Sequence, residues 1–468
     1  MPVSPSPAPL EPALPRAGFS LPPAMLGIMR ALSAQRDRRW TWLALAAVAG
    51  GALARAVWVF VLHPPLDYTH SDMGGYIDRA TKLAEGGALE RYDAFYPPGT
   101  HILLSVPLSV LDSGRTGLWG GAVLWWALSS LTPLLMWRLA GLLLTPAAAA
   151  LTALLTAAWP LHVTYTGWFL SETPALFFLV LALWLGYLAG RRDGGRALAL
   201  GAVAGLAGAA SVANRPQFLL NLAILGVPLL VGRSRNLSAL AGLAAGSAAL
   251  LGAVVAYNSA AGDKLTGLSE NGGLTFFIGH CDAGTVDATD PETGANFSFS
   301  APPAIQRNNA RAFGFPDNGA WDQSFFYGRG LDCIRENGLR HLTLTSRSIV
   351  DMTATTIPWP HVEEDPLGDV AALTNVLYSV ALPFLVVGVL ALRRRRPSRG
   401  EIVLLAHLLC FVPLAVLVFG DSRFRAPYDV FGLALLAALA ADRWLDGRSR
   451  STTLLTVREE PPTDEHGP

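Results

Sequence analysis

The sequence predicts an all-α polytopic membrane protein with about ten transmembrane helices, on three observations. The first is composition: of 468 residues, 51% are hydrophobic and only 15% charged, with a mean hydropathy of +0.38, where soluble domains carry about 25% charged residues. The second is a series of apolar runs, each close to the length that crosses a bilayer. The third is arginine placement, because the arginine clusters fall on alternate connections and therefore on one side. Equal counts of 35 Lys+Arg and 35 Asp+Glu give no net pull toward nucleic acid. Three cysteines exclude a disulfide-dense scaffold, and none has zinc-site spacing.

In chain order, residues 1–36 are rich in Pro and Ala and read as a disordered tail, cytoplasmic together with the arginines up to residue 40. No cleavable signal peptide stands out, since the apolar stretch after Arg16 is broken by Pro22 and Pro23. Met25 and Met29 are candidate alternative starts. The predicted spans are 41–62, 119–138, 147–164, 173–190, 197–213, 217–232, 237–257, 370–391, 402–419 and 426–442. With Arg36, Arg38 and Arg39 inside, parity also places inside Arg138, then Arg191, Arg192 and Arg196, then Arg233 and Arg235. The Arg393–Arg396 run with Arg399, and the cytoplasmic C-terminal tail 444–468, follow on the same side. The run after Gly99 is apolar for only about a dozen residues, a length that reads as interfacial or re-entrant. It therefore belongs to a first outer loop, 63–118, of short helices at the membrane surface. A second outer segment, 258–369, is long enough for a small extracytoplasmic lobe and holds Cys281 and Cys333, between which a disulfide could form in an oxidising compartment; the sequence leaves paired and free thiols equally open. The membrane domain, 41–443, thus includes both outer segments.

The polar residues that stand out converge on this outer face. The first loop carries His70, Asp72, Gly74, Gly75 and Tyr76, then Tyr96-Pro97-Pro98-Gly99. Asp72 reads either as a general base, with two glycines admitting another group, or as a helix N-cap. Glu172 begins the fourth span, as a dipole-favoured acid or a second carboxylate facing Asp72. Arg215, Arg423 and Arg425 break the positive-inside pattern, and a guanidinium there suits a phosphate or pyrophosphate; snorkelling to headgroups is the other reading. The two prolines after Tyr96 shape the loop. Asn271-Gly272-Gly273, ahead of Phe276, Phe277 and Gly279, reads as a turn or hairpin, or as the edge of an acceptor groove. The two loop segments hold twice as many acidic as basic residues. Arg215, Arg423 and Arg425 are therefore the exceptions that call for an anionic partner.

At these residues the chain resembles the GT-C class of integral-membrane glycosyltransferases, nearest to the bacterial relatives of protein O-mannosyltransferases and of the lipid A aminoarabinose transferase. The resemblance rests on Asp72-Met73-x-x-Tyr76 after the first span, on Tyr96-Pro97-Pro98, on Pro160-Leu161-His162 ahead of Glu172, and on Arg423-x-Arg425-x-Pro427. It implies an inverting transfer of a sugar from a polyprenyl-phosphate carrier to the hydroxyl of a glycan, lipid or protein acceptor, at the extracytoplasmic face of a bacterial inner membrane. Asp72 would be the base, Glu172 a second catalytic carboxylate, and Arg423 with Arg215 and Arg425 would hold the donor phosphate, with Tyr76, Tyr96, Pro97 and Pro98 shaping the site. Met73 stands where O-mannosyltransferases carry a second acid, which counts against protein O-mannosylation. Oligosaccharyltransferase relatives use a divalent metal and nearer ones do not, so no cofactor is expected as required. A transporter or flippase for lipid-linked glycans should carry mid-bilayer charges and internal repeats, which are not evident here. An O-antigen ligase or polymerase shares the outer arginines, but not an early Asp loop.

Overall fold

A computed structural model describes residues 23–69, 72–231, 235–281, 286–289, 296–299, 322–353, 397–418, 420 and 422–442. The first helix, α1 (Pro23–Val57), continues through a wider turn to Leu62. It opens on Pro23, a residue well suited to the first helical position because it has no N–H to satisfy. Residues 23–40, expected as tail, are thus helical and run into the first span.

The first loop folds as predicted into short helices: α2 (Asp72–Ala84), a tight turn at Arg91–Ala94, and α3 (Gly99–Val110). The twelve residues of α3 fall well short of the ~20 needed to cross a bilayer. Then come α4 (Arg115–Leu143), α5 (Pro146–Ala158), α6 (Pro160–Thr164), α7 (Glu172–Ala189), α8 (Gly194–Asn214), α9 (Leu219–Leu230) and α10 (Leu237–Gly262). The lobe supplies α11 (Gly272–His280), a two-stranded antiparallel ribbon of β1 (Val286–Thr289) and β2 (Asn296–Phe299), α12 (Gln323–Asn337) and α13 (Arg340–Thr353). After it come α14 (Arg399–Leu408), α15 (Phe411–Leu417), the single turn α16 (Ser422–Arg425) and α17 (Asp429–Ala440). The ribbon is a minor exception to the all-α expectation.

Six helices among the described residues are long and apolar enough to cross a membrane, or seven if the bent pair α5–α6 is one span. This is fewer than the ten predicted, and prolines account for much of the difference. Pro216 opens a tight turn that delays α9, and Pro228 lies inside that helix. Pro427 sits in the turn Ala426–Tyr428 before α17. The predicted span 370–391, the Arg393–Arg396 run and the tail 444–468 lie outside the described residues, as do His70, Arg233 and Asp421.

The break between α5 and α6 bends the chain by 54°. Pro160 has no N–H to offer the Thr156 carbonyl, and it holds Trp159 in an extended conformation at ψ 113°. Arg55 of α1 takes over the orphaned carbonyls, donating Nη1 to Ala157 O at 2.8 Å and Nη2 to Thr156 O at 3.3 Å. Its Nε donates to Ser129 Oγ at 2.8 Å. A buried guanidinium in an apolar span thus serves as the C-cap of a broken helix, where a cation is favoured.

Helices α8 and α10 touch backbone to backbone. A Cβ on Gly201 or Gly205 would strike the carbonyls of Ala239 or Leu243, and one on Gly242 or Gly246 those of Leu198 or Ala202. This reciprocal small-xxx-small seam substitutes close packing for the hydrophobic effect that lipid does not supply, and it joins the first half of α8 to the first half of α10. The main apolar cluster joins α4, α7, α8 and α9 through Leu139, Leu183, Val212 and Leu225 to Phe431 of α17. A second seats the first loop on α4 through Trp58, Met73, Tyr76, Trp125 and Trp168.

Candidate active site

Four charged side chains from four distant segments meet beside α2. Asp72 is the first residue of α2 and Glu172 the first of α7, positions where the helix dipole favours a carboxylate. Arg215 follows the last residue of α8, and Arg423 lies in α16. Arg423 Nη1 donates to Asp72 Oδ2 at 2.7 Å, and its Nε donates to Glu172 Oε1. Arg215 Nη1 reaches the same Glu172 oxygen at 2.5 Å and also donates to Ser171 Oγ at 3.3 Å. The second oxygen of Asp72, Oδ1, accepts the Tyr96 hydroxyl at 3.0 Å. The order is Tyr96, Asp72, Arg423, Glu172, Arg215, with alternating charge and no net charge among the four ionic groups.

Burial differs along this chain. The Glu172 side chain is 3% exposed and that of Arg215 7%, whereas Asp72 is 26% and Arg423 13% exposed. The Asp72–Arg423 end therefore faces the exterior and the Glu172–Arg215 end the protein. Burial would raise the Asp72 carboxyl, but the Arg423 guanidinium and the Tyr96 hydroxyl hold it below the ordinary carboxylate range. Burial, reinforced by the Asp72 charge, pushes the Tyr76 phenol up to about 12 and that of Tyr96 well above its usual value. Both remain neutral donors. Arg423, which burial would deprotonate more readily, is held firmly cationic by Glu172 and Asp72.

Sequence expectations meet this geometry unevenly. Asp72, Glu172, Arg215 and Arg423 come together, with Tyr76 packed on Tyr96 at 5.2 Å between ring centroids. Pro97 and Pro98 lead into α3, and Gly99 lets that helix start against the end of α8, where a Cβ would lie 2.7 Å from the Asn214 side chain. Thr100 Oγ1 then donates to Asn214 Oδ1 at 2.9 Å, next to Arg215. Gly75 admits the Arg79 guanidinium, which donates to Gly75 O and Tyr92 O and lies over the Tyr92 and Tyr96 rings.

Arg425 departs from its expected phosphate role. It is fully buried, and its Nε lies 3.0 Å from Asp429 Oδ1. Trp159 Nε1 donates to the other Asp429 oxygen at 3.2 Å, and the His162 ring bonds the Ala426 carbonyl at 3.0 Å. One helical turn separates the two carriers of this pair, so Arg425 and Asp429 fix the turn that displays Arg423 and face away from the exterior. Glu172 takes the helix-start position of the dipole reading, and its Oε1 meets two guanidiniums, with Arg423 between it and Asp72. Asn271-Gly272-Gly273 opens α11, with Gly273 N–H donating to Gln323 Oε1 at 2.6 Å, so it is a docked helix start and not a hairpin. Cys281 and Cys333 are disulfide-bonded, with Cα atoms 5.4 Å apart.

Beneath Glu172 lies a cavity of about 20 Å³ lined by Arg55, Ser129, Thr156, His162, Tyr165 and Thr173, room for about one water. Among the described residues no group of three or more His, Cys, Asp or Glu is arranged to hold a metal ion. Sequence reading missed Arg55 and Arg79; for Arg55 the signal was available, because an arginine inside a span demands a partner.

No family model matches the sequence, and no curated protein matches it. Solved structures that resemble the chain include oligosaccharyltransferases of the archaeon Archaeoglobus fulgidus. The apo form aligns with a TM-score of 0.49 and 15% identity over 90% of this chain and 53% of that one. A complex of the enzyme AglB with an inhibitory peptide and a dolichol-phosphate aligns at 0.45 and 17% identity, over 91% of this chain and 53% of that one. The chain spans about half the length of these proteins.

Proposed function

We propose that this cluster is the reacting centre of a glycosyltransferase that moves a sugar from a polyprenyl-phosphate carrier to an acceptor hydroxyl. In this reading it works at the extracytoplasmic face of a bacterial inner membrane. The observation that carries the reading is the Asp72–Arg423–Glu172–Arg215 chain, a part-exposed carboxylate beside a guanidinium pair held by a buried carboxylate, at the ends of apolar helices.

The chemistry follows from the exposure gradient. A donor phosphodiester approaching from the exterior reaches Arg423, the more exposed of the two guanidiniums, before Arg215, and replaces Asp72 as its anionic partner. Release of Asp72 from Arg423 raises its basicity at the moment a donor is in place. The acceptor O–H then gives its proton to Asp72 while its oxygen attacks the anomeric carbon from the face opposite the phosphate. The bond from that carbon to the phosphate oxygen breaks, its electron pair stays on the phosphate, and the configuration inverts. Arg423, with Arg215 behind it, meets the charge that develops on the leaving phosphate. Glu172 is a positioning residue that holds both guanidiniums in register. No step is assigned to a metal or to Arg425.

The reading is tested with purified protein and a polyprenyl-phosphate sugar. Asp72→Asn is expected to bind the donor and to lose transfer by about 10²-fold or more. An Asp72→Asn variant with full transfer activity would remove the base assignment.

A further inference from the structure

The lobe touches both halves of the cluster, and this carries an inference that rests on the function proposed above and extends it. On one side the lobe is anchored to the segment that ends in Tyr96. Phe95 is buried with Leu274, Phe277 and Phe326 of α11 and α12. Glu270 N–H donates to Ala94 O at 2.8 Å, and the Glu270 carboxylate lies 3.5 Å from Arg91. On the other side the lobe grips the chain just ahead of Arg423. A Cβ on Gly279, at the end of α11, would overlap the Val418 carbonyl, and a Cβ on Gly420 would overlap the carbonyl of Ser348 in α13. Both contacts are backbone against backbone and exist only because glycine stands at each position.

The two gripping helices are tied to each other and to α12. His280 Nδ1 lies 3.1 Å from His341 Nε2, which joins α11 to α13. The next residue, Cys281, is bonded to Cys333 of α12. The lobe therefore bridges the Tyr96–Asp72 side and the Arg423 side by a path independent of the transmembrane helices.

We infer that the lobe sets the position of Arg423 relative to Asp72, with Gly279 and Gly420 as positioning residues and the Cys281–Cys333 disulfide as the latch that keeps α11 in place. The brace acts on the leading side of the turn, because Arg423 lies three residues beyond the gripped Gly420, whereas the Arg425–Asp429 pair fixes the turn from its trailing side. Gly279→Ala or Gly420→Ala forces the gripped backbone outward and moves the guanidinium away from its phosphate-binding position. Breaking the disulfide loosens the same grip without adding an atom.

Gly328 of α12 supplies the control, since it is exposed and a Cβ there meets nothing within 4 Å. The experiment compares Gly279→Ala, Gly420→Ala, the double variant Cys281→Ser/Cys333→Ser and Gly328→Ala in transfer assays with a polyprenyl-phosphate sugar, and in hydrogen exchange of peptides covering residues 422–428. The first three are expected to lower kcat/KM for the donor by about tenfold, with a higher donor KM and a lower kcat because Arg423 also meets the charge on the leaving phosphate, and to speed exchange in that segment. Gly328→Ala should match the unmodified protein in both. Donor KM and exchange rates equal to those of Gly328→Ala would overturn the inference. The exchange measurement needs no substrate, so it decides the brace even where the unmodified protein transfers no sugar, which is the failure of the functional reading itself. If a glycine variant does not fold, the cysteine pair carries the test.

Discussion

Replacing Glu172 with Gln examines the cluster at its most buried point. The carboxylate is 3% exposed and its Oε1 accepts from both Arg423 and Arg215. Gln keeps the shape and one acceptor oxygen but removes the charge that holds two guanidiniums together. Removing one partner of a buried ion pair costs about 3–5 kcal/mol, most of it from the charge left behind. Asp72 still balances Arg423, so the uncompensated group is Arg215, and a destabilisation of about 3 kcal/mol is expected. The decisive comparison is a double-mutant cycle with Arg215→Met, followed by thermal or denaturant unfolding in detergent. Deleting both charges restores neutrality, so the double variant should be more stable than the sum of the single losses predicts, by about 1–3 kcal/mol. Additive losses, or a Glu172→Gln protein as stable as the unmodified one, would refute the claim that these groups form one buried network.

Three further outcomes follow from individual contacts. Tyr96→Phe removes the hydroxyl on Asp72 Oδ1, one of the interactions that hold that carboxyl low; Asp72 then needs a higher pH to lose its proton, so the acid limb of the transfer profile moves to higher pH. An unmoved limb would separate Tyr96 from the base. Arg55→Met strips the cap from Thr156 and Ala157, each buried carbonyl costing about 1–3 kcal/mol, and Arg55→Lys should fall between it and the unmodified protein in thermal stability. Arg425→Met leaves the buried Asp429 without its cation at a cost of about 3–5 kcal/mol, yet donor KM of the folded fraction should stay near that of the unmodified protein; a large KM increase would return Arg425 to the phosphate site.

Much of this site was legible in the sequence because membrane proteins restrict where charge can sit. Asp72, Glu172, Arg215 and Arg423 each stood out as ionisable groups at the ends of apolar runs, on the side opposite the arginine clusters, and they converge. Arg425 stood out for the same reason, but placement at a span end does not reveal which way a residue faces; its partner Asp429 lies one helical turn on, a spacing that reads as an ordinary i,i+4 pair. Glu172 was visible as a carboxylate, but its two guanidinium partners come from the far ends of other elements. The break at Pro160 went unread, since the predicted span 147–164 runs through it, and its cap was hidden as well because Arg55 reaches it from a helix a hundred residues earlier. The lobe's grip depends on backbone approach at Gly279 and Gly420, and a glycine in the sequence gives no sign of what lies against it. Among the described residues, the predicted spans 147–164 and 217–232 are bent or shortened at single prolines that hydropathy alone reads through.

The central claim is that Arg423, backed by Glu172 and Arg215, receives the phosphate of a lipid carrier in exchange for Asp72. It is tested most directly by the binding of polyprenyl phosphate to the purified protein and to Arg423→Ala and Asp72→Asn. Loss of affinity by about tenfold or more in Arg423→Ala, with equal or tighter binding in Asp72→Asn because the competing carboxylate charge is gone, is the predicted result. Unchanged affinity in Arg423→Ala would contradict it.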